Sequence, residues 1–126
     1  MPPREMHFAQ VRIATIANAA PTTRTRLMGP LTGIRVLEFD AIGPGPFCGM
    51  MLADMGADVL LVDRAADPGL GFALDRRYDT MKRGRRSLTL DLKSPAAVEA
   101  ALRLAERADV LIEGFRPGVM ERMGLG

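Results

Sequence analysis

The stretch GIRVLEFDAIGPGPFCGMMLADMGADVLLVD, residues 33–63, decides the predicted fold of this chain. Residues 34–39 are rich in β-branched and apolar residues, which is typical of a strand. Residues 59–62 form the near-continuous apolar run that is typical of a buried parallel strand. Between them, Pro46 suits the first turn of a helix that Gly56 can close. A strand, a helix and a second strand in this order predict one βαβ unit of a parallel sheet.

The same alternation continues along the rest of the sequence. Residues 87–90 form a short extended segment, and Ser94 followed by Pro95 is typical of a helix start. Residues 109–113 predict a further strand, and Pro117 opens a short last helix. We therefore expect an α/β fold, a Rossmann-like open parallel sheet with flanking helices and right-handed crossovers.

Composition narrows the class of protein. The chain has 126 residues, of which 48% are hydrophobic and 25% charged, so it can form one domain with a core. The balance of 17 basic and 15 acidic residues argues against a nucleic-acid binder. No apolar run approaches the roughly 20 residues of a membrane span. Because Cys48 and His7 are single, we expect no disulfide and no metal site, and a reducing, cytoplasmic compartment.

Residues 1–28 differ in amino-acid composition from the rest of the chain. They carry four arginines against Glu5 alone, with a threonine-rich patch at 22–25. We expect a basic, disordered N-terminal extension that precedes a domain of residues 29–126. The alternatives are a mitochondrial transit peptide and an upstream extension before a second possible start at Met28.

The glycine-rich loop at residues 43–48, GPGPFC, resembles a dinucleotide-binding fingerprint. It follows a strand and opens a helix, and Asp63 lies where such a fingerprint places its ribose-binding acid. However, Pro44 and Pro46 have no N–H to donate to a pyrophosphate. The alternative is a purely structural turn, with Cys48 as a core thiol on the buried face of the helix. The predicted core-facing stripe of this helix comprises Phe47, Met50, Met51 and Met55.

Basic residues follow the predicted strands and suit a ligand that carries phosphates. Arg64 follows the second strand at its carboxyl end, where open α/β sheets bind ligands. Asp91 and Glu113 are acidic candidates for a base, without a visible partner. The alternative for each arginine is a solvated surface charge. Further cations crowd the next stretch, namely Arg76, Arg77, Lys82, Arg83, Arg85 and Arg86.

Three collinear blocks resemble the family III CoA-transferases over about residues 29–126. The first combines residues 33–38, 43–48 and 52–59, the second joins 83–88 to 90–94, and the third is 108–119. Within the family, the chain is most similar to the α-methylacyl-CoA racemases. The features that carry this likeness are the GPGPFC loop, the short segment between Arg64 and Arg83, and EGFR at 113–116. Asp40 departs from the pattern, because the family usually has a small or uncharged residue there.

The resemblance implies a CoA-binding N-terminal part of a longer chain that forms an interlocked homodimer. It implies an acyl-CoA thioester as substrate and no tightly bound cofactor. Arg64 would contact the CoA nucleotide. The adenine and ribose would be lined by Leu90, Asp91, Leu92 and Lys93. The phosphates or the acyl pocket would lie near Gly114, Phe115, Arg116 and Arg122.

The activity implied is racemisation of 2-methylacyl-CoA thioesters by exchange of the α-proton. The family's catalytic His and Asp lie after the third block, so we expect the catalytic residues beyond Gly126 and none in this chain. One alternative is transfer of CoA between carboxylic acids through an acyl anhydride, with an Asp nucleophile that also lies later. The other is an inactive fragment that only binds CoA.

Overall fold

The computed structural model describes residues 29–64 and 78–126. The expectations for residues 1–28, and for Arg76 and Arg77, lie outside these ranges. The elements alternate as the sequence predicts. In chain order they are β1 (Arg35–Phe39), α1 (Pro44–Asp54), β2 (Asp58–Arg64), a short 3-10 turn (Thr80–Lys82), β3 (Arg86–Leu90), α2 (Pro95–Ala105), β4 (Val110–Ile112) and α3 (Val119–Arg122).

The four strands form one parallel sheet in the order β3-β2-β1-β4. Val36 of β1 lies beside Val59 on one side and Val110 on the other. An α/β fold with an open parallel sheet and flanking helices is therefore confirmed. Because all strands are parallel, their carboxyl ends meet at one edge of the sheet. The direction in which strands are added reverses at β1, since β2 and β3 lie on one side of it and β4 on the other.

Alternation along the strands gives the sheet two apolar faces. On one face, Leu37, Phe39 and Val62 pack in a cluster with Ala97 and Ala101 of α2. On the other face, a second cluster joins the strands to α1 and the residues that follow it, through Val36, Ala53, Ala57 and Val59. Both faces are thus covered, as parallel sheets require.

Helix α1 buries only part of the predicted stripe: Met50 is buried and Met55 is half-buried, as expected, but Phe47 and Met51 are not. It begins at Pro44, two residues before Pro46, and its buried residues are Pro46, Gly49, Met50 and Ala53. Cys48 is exposed, so the expectation of a core thiol is wrong. Phe47 and Met51 are also exposed, at 52% and 43%. The reason is close approach: a Cβ on Gly49 would lie 2.0 Å from Glu38 Oε2 in β1, so only a glycine fits where the helix meets Glu38.

The predicted helix ends agree better with the structure. Gly56 follows the last turn of α1 with a φ of 95°, a left-handed conformation that glycine adopts without strain. Pro95 begins α2 after an extended Ser94, although the Ser94 hydroxyl makes no capping hydrogen bond. Within the two described ranges, no helix has the length and apolarity needed to cross a membrane.

Candidate functional site

The carboxyl edge of the sheet brings three of the predicted site residues together. Arg64, the last residue of β2, lies opposite Leu90 in the β2–β3 register. The guanidinium carbon of Arg64 is 5.9 Å from the ring centroid of Phe115, which follows β4. This separation lies within the range of a cation–π interaction. Leu90 and Phe115 also belong to one apolar cluster, so segments after β2, β3 and β4 converge there.

Phe115 is held in place from two directions. Its ring packs against Phe39 of β1, with centroids 6.4 Å apart and planes inclined by 53°. Its backbone N–H donates a 2.8 Å hydrogen bond to the carboxylate of Glu113. Glu113, considered as a base from the sequence, therefore orients the loop that carries Phe115.

Gly114 packs the loop after β4 against the loop after β1. A Cβ on Gly114 would lie 2.8 Å from the Cβ of Ala41, so a larger residue would push the two loops apart. These loops flank the point at which the strand order reverses, where open α/β sheets form their ligand crevice.

The turn after β3 is built from the other predicted nucleotide-site residues. The exposed carboxylate of Asp91 accepts the backbone N–H of Lys93 at 3.1 Å, which is a local turn of the kind that Asp favours. Leu92 packs against the cluster that contains Leu90 and Phe115. Asp91 is thus committed to its own backbone, as Glu113 is, and Lys93 is exposed.

Arg116 and Arg122 lie further along the chain, and both are exposed. Arg122, in α3, folds back over the start of its helix, because a Cβ on Gly118 would lie 3.2 Å from a guanidinium nitrogen of Arg122. The contacts of the described residues do not join Arg116 or Arg122 to Arg64 and Phe115.

Four of the basic residues that follow Arg64 in the sequence form ion pairs with carboxylates. For these residues the pairing favours structural roles over contact with a ligand. The pairs are Lys82 with Asp40, Arg83 with Asp54, Arg85 with Glu38, and Arg86 with Asp58.

Sequence reasoning missed the buried ion pair between Glu38 and Arg85. The two side chains are 0% and 1% exposed, and Arg85 also donates to the backbone carbonyl of Met81. Burial raises the pKa of Glu38, against the opposing effect of the Arg85 guanidinium. The signal in the sequence is the alternation of RVLEF, which places Glu38 on the same face as the buried Val36.

A second missed group is centred on Lys82. Its Nζ lies 3.3 Å from Asp40 Oδ1 and 3.7 Å from Asp63 Oδ2. Asp63 Oδ1 accepts the backbone N–H of Arg64 at 2.9 Å. Asp63, the residue that a dinucleotide fingerprint would use to bind a ribose, therefore interacts with Lys82 and with the backbone N–H of Arg64. This favours the structural alternative for the glycine loop. Asp40, which departs from the family pattern, is the second carboxylate that pairs with Lys82.

The arrangement can bind and orient a ligand through a guanidinium, an aromatic ring and turn residues. The part of the chain that the structure describes holds no group of three or more His, Cys, Asp or Glu residues arranged for a metal ion. The two carboxylates considered as bases from the sequence, Asp91 and Glu113, each accept a backbone N–H.

Comparison with known proteins identifies the family of this domain. Residues 31–126 match the model of CoA-transferase family III. The human alpha-methylacyl-CoA racemase is 51% identical over 98 residues, which cover 76% of this chain and 23% of that protein. The succinyl-CoA:mesaconate CoA-transferase of Haloarcula hispanica is 41% identical over 110 residues, covering 79% of this chain and 28% of that enzyme.

A solved structure shows the same fold. The hypothetical protein Rv3272 of Mycobacterium tuberculosis superposes with a TM-score of 0.68 at 41% identity, over 78% of this chain and 28% of that one. The chain thus spans about a quarter of the length of these relatives. Both racemases and CoA-transferases occur among the matches. The extent of the match and these identities show that the chain belongs to CoA-transferase family III.

Proposed function

We propose that this chain is the CoA-binding portion of a 2-methylacyl-CoA racemase. The observation that carries the proposal is the convergence of Arg64, Leu90 and Phe115 at the carboxyl edge of a parallel sheet. This is the place where open α/β sheets bind ligands. The identity of 51% to the human racemase, against 41% to a transferase, favours the racemase.

In the proposed site, Arg64 contacts the nucleotide of CoA. A guanidinium that lies over an aromatic ring is pre-oriented, and it can stack on adenine or pair with a phosphate. The resemblance implies that Leu90, Asp91, Leu92 and Lys93 line the adenine and ribose. The start of this turn beside Arg64 supports the proposal. The phosphates or the acyl pocket lie near Gly114, Phe115, Arg116 and Arg122.

The chemistry proposed for the whole protein is removal and return of the proton α to the thioester carbonyl. Such an enolate mechanism requires an acid–base pair and stabilisation of the developing negative charge on oxygen. In the described residues, Asp91 and Glu113 are bonded to backbone N–H groups. The resemblance implies that the family's catalytic His and Asp lie after the third block, so we assign the proton transfer to residues beyond this chain, and to this chain the binding and orientation of the thioester. The homodimer implied by the resemblance stays a prediction.

Exchange at the α-carbon separates racemase from transferase. A full-length protein that contains this chain is incubated with one epimer of a 2-methylacyl-CoA in D2O, without an acceptor acid. The racemase predicts incorporation of deuterium at the α-carbon and formation of the other epimer. Transfer of CoA to an added carboxylic acid, with no exchange in its absence, would establish the transferase instead. This second candidate is supported by the 41% identity to the H. hispanica enzyme.

The third candidate concerns these 126 residues by themselves. If they bind CoA without catalysing exchange, calorimetric titration of the isolated chain with CoA gives a binding isotherm while the deuterium assay stays at the buffer rate. Exchange by the isolated chain above that rate would place the acid–base pair within it and contradict the assignment.

A further inference from the structure

Lys82 joins the carboxyl ends of two strands. It is the last residue of the 3-10 turn, and its Nζ lies between Asp40, directly after β1, and Asp63, the penultimate residue of β2. The side chains of Lys82, Asp40 and Asp63 are 30%, 17% and 8% exposed. Ion pairs that are partly buried are screened less by salt than exposed ones.

The cluster reaches Arg64 through the backbone of β2. Asp63 directs one carboxylate oxygen to Lys82 and the other to the N–H of Arg64, at 2.9 Å. Successive side chains of a strand point to opposite faces of the sheet. Asp63 therefore lies on the face of β2 that carries Val59, and Arg64 on the face that carries Val62 and Phe115. Lys82 thus acts on Arg64 from the opposite face of the sheet. It fixes the carboxylate of Asp63, which accepts the backbone N–H of Arg64.

We infer that Lys82 is a positioning residue for CoA binding, which holds the end of β2 so that Arg64 meets the ligand. This rests on the proposed role of Arg64 as a CoA contact. Without the ammonium, the carboxylates of Asp40 and Asp63 repel each other, and Asp63 loses one of the groups that orient it. The strand end then samples other positions, and Arg64 leaves the face of Phe115 for part of the time.

The first arm of the test measures affinity for CoA by calorimetry in a full-length protein. We expect Lys82→Met to raise the Kd about tenfold, because residues within one ion-pair network couple by this order. Lys82→Arg, which keeps the charge, should restore most of the affinity. The matched control is Arg86→Met, which removes a cation from the exposed pair with Asp58 at the opposite edge of the sheet. This control should change the Kd less than about twofold.

The second arm is a double-mutant cycle with Arg64→Ala. If Lys82 acts through Arg64, Lys82→Met changes the Kd less than about twofold in the Arg64→Ala background. A tenfold effect that persists there would overturn the inference, because Lys82 would then act on CoA by another route. If Lys82→Met leaves the Kd unchanged in the protein that retains Arg64, the inference about Lys82 is also overturned, but the proposed contact between Arg64 and CoA is not. If Arg64→Ala itself leaves the Kd unchanged, the CoA contact is refuted, and the inference with it.

Discussion

Replacing Arg85 by methionine leaves a buried carboxylate, Glu38, without its ion-pair partner. Glu38 is the fourth residue of β1 and lies beneath α1, and the side chains of Glu38 and Arg85 are 0% and 1% exposed. Methionine keeps much of the length of the arginine stem but has no charge and no N–H donor. In Arg85→Met, Glu38 therefore loses its cation, and Met81 loses the hydrogen bond to its carbonyl.

The expected cost follows from the burial of the pair. Removing one partner of a buried ion pair destabilises a protein by about 3–5 kcal/mol, because the remaining charge is uncompensated. A domain has only about 5–15 kcal/mol of stability in total, so the variant should be close to unfolding. Removing both charges, as in Glu38→Met with Arg85→Met, leaves no buried ion and should cost much less than the single change.

Acid pH should partly rescue the single variant. Burial already raises the pKa of Glu38, and losing Arg85 raises it further. A carboxyl group whose folded pKa exceeds its unfolded value favours folding below the unfolded pKa, and this contribution is lost as the pH rises through the folded pKa. The stability deficit of Arg85→Met should therefore be full only above the folded pKa of Glu38 and shrink as the pH falls from there towards the unfolded pKa, about 4.3.

Urea unfolding followed by circular dichroism measures these differences. The matched control is Arg86→Met, the same substitution one residue later, in a pair whose side chains are 61% and 51% exposed. Exposed pairs contribute about 0–1 kcal/mol. An Arg85→Met variant as stable as Arg86→Met would refute the reasoning. So would a double variant no more stable than Arg85→Met, because the cost would then come from packing and not from the lone charge.

Three other changes test further contacts. Arg64→Ala in a full-length protein should weaken CoA binding by about 1.5–3 kcal/mol, as for a hydrogen bond to a charged group. Arg103→Ala on α2 should not weaken it; equal Kd values for the two variants would contradict the contact. Gly49→Ala should cost about 1–3 kcal/mol or more by overpacking, since its Cβ would meet the buried carboxylate at 2.0 Å; an unchanged urea midpoint would count against this packing. Hydrogen bonds from Arg35 lower the pKa of Asp109, so their contribution is present above the unfolded pKa, about 3.9, and lost as the pH falls. Thermal midpoints of Asp109→Asn should consequently show a weaker acid dependence than wild type, and identical profiles would argue against the pair.

Local sequence determined most of the elements. The apolar run at 59–62 is typical of a buried parallel strand. Pro95 and Gly56 mark helix ends through backbone constraints that act within a few residues. The order of these elements predicted the parallel sheet, and the position of Arg64 after a strand predicted its place at the carboxyl edge. These are properties of short segments, so they do not depend on knowing the distant contacts.

The face of α1 and the ion pairs were decided only by the tertiary structure. Helical periodicity favoured large apolar residues at the contact, but the sheet presents Glu38 there, and only Gly49 leaves room for it. Glu38 and Arg85 are 47 residues apart in the chain, and Lys82 meets Asp40 and Asp63 from a separate segment. Which carboxylate meets which cation depends on strand order and register. These follow from how the whole chain buries its apolar surface, because no segment can determine them alone.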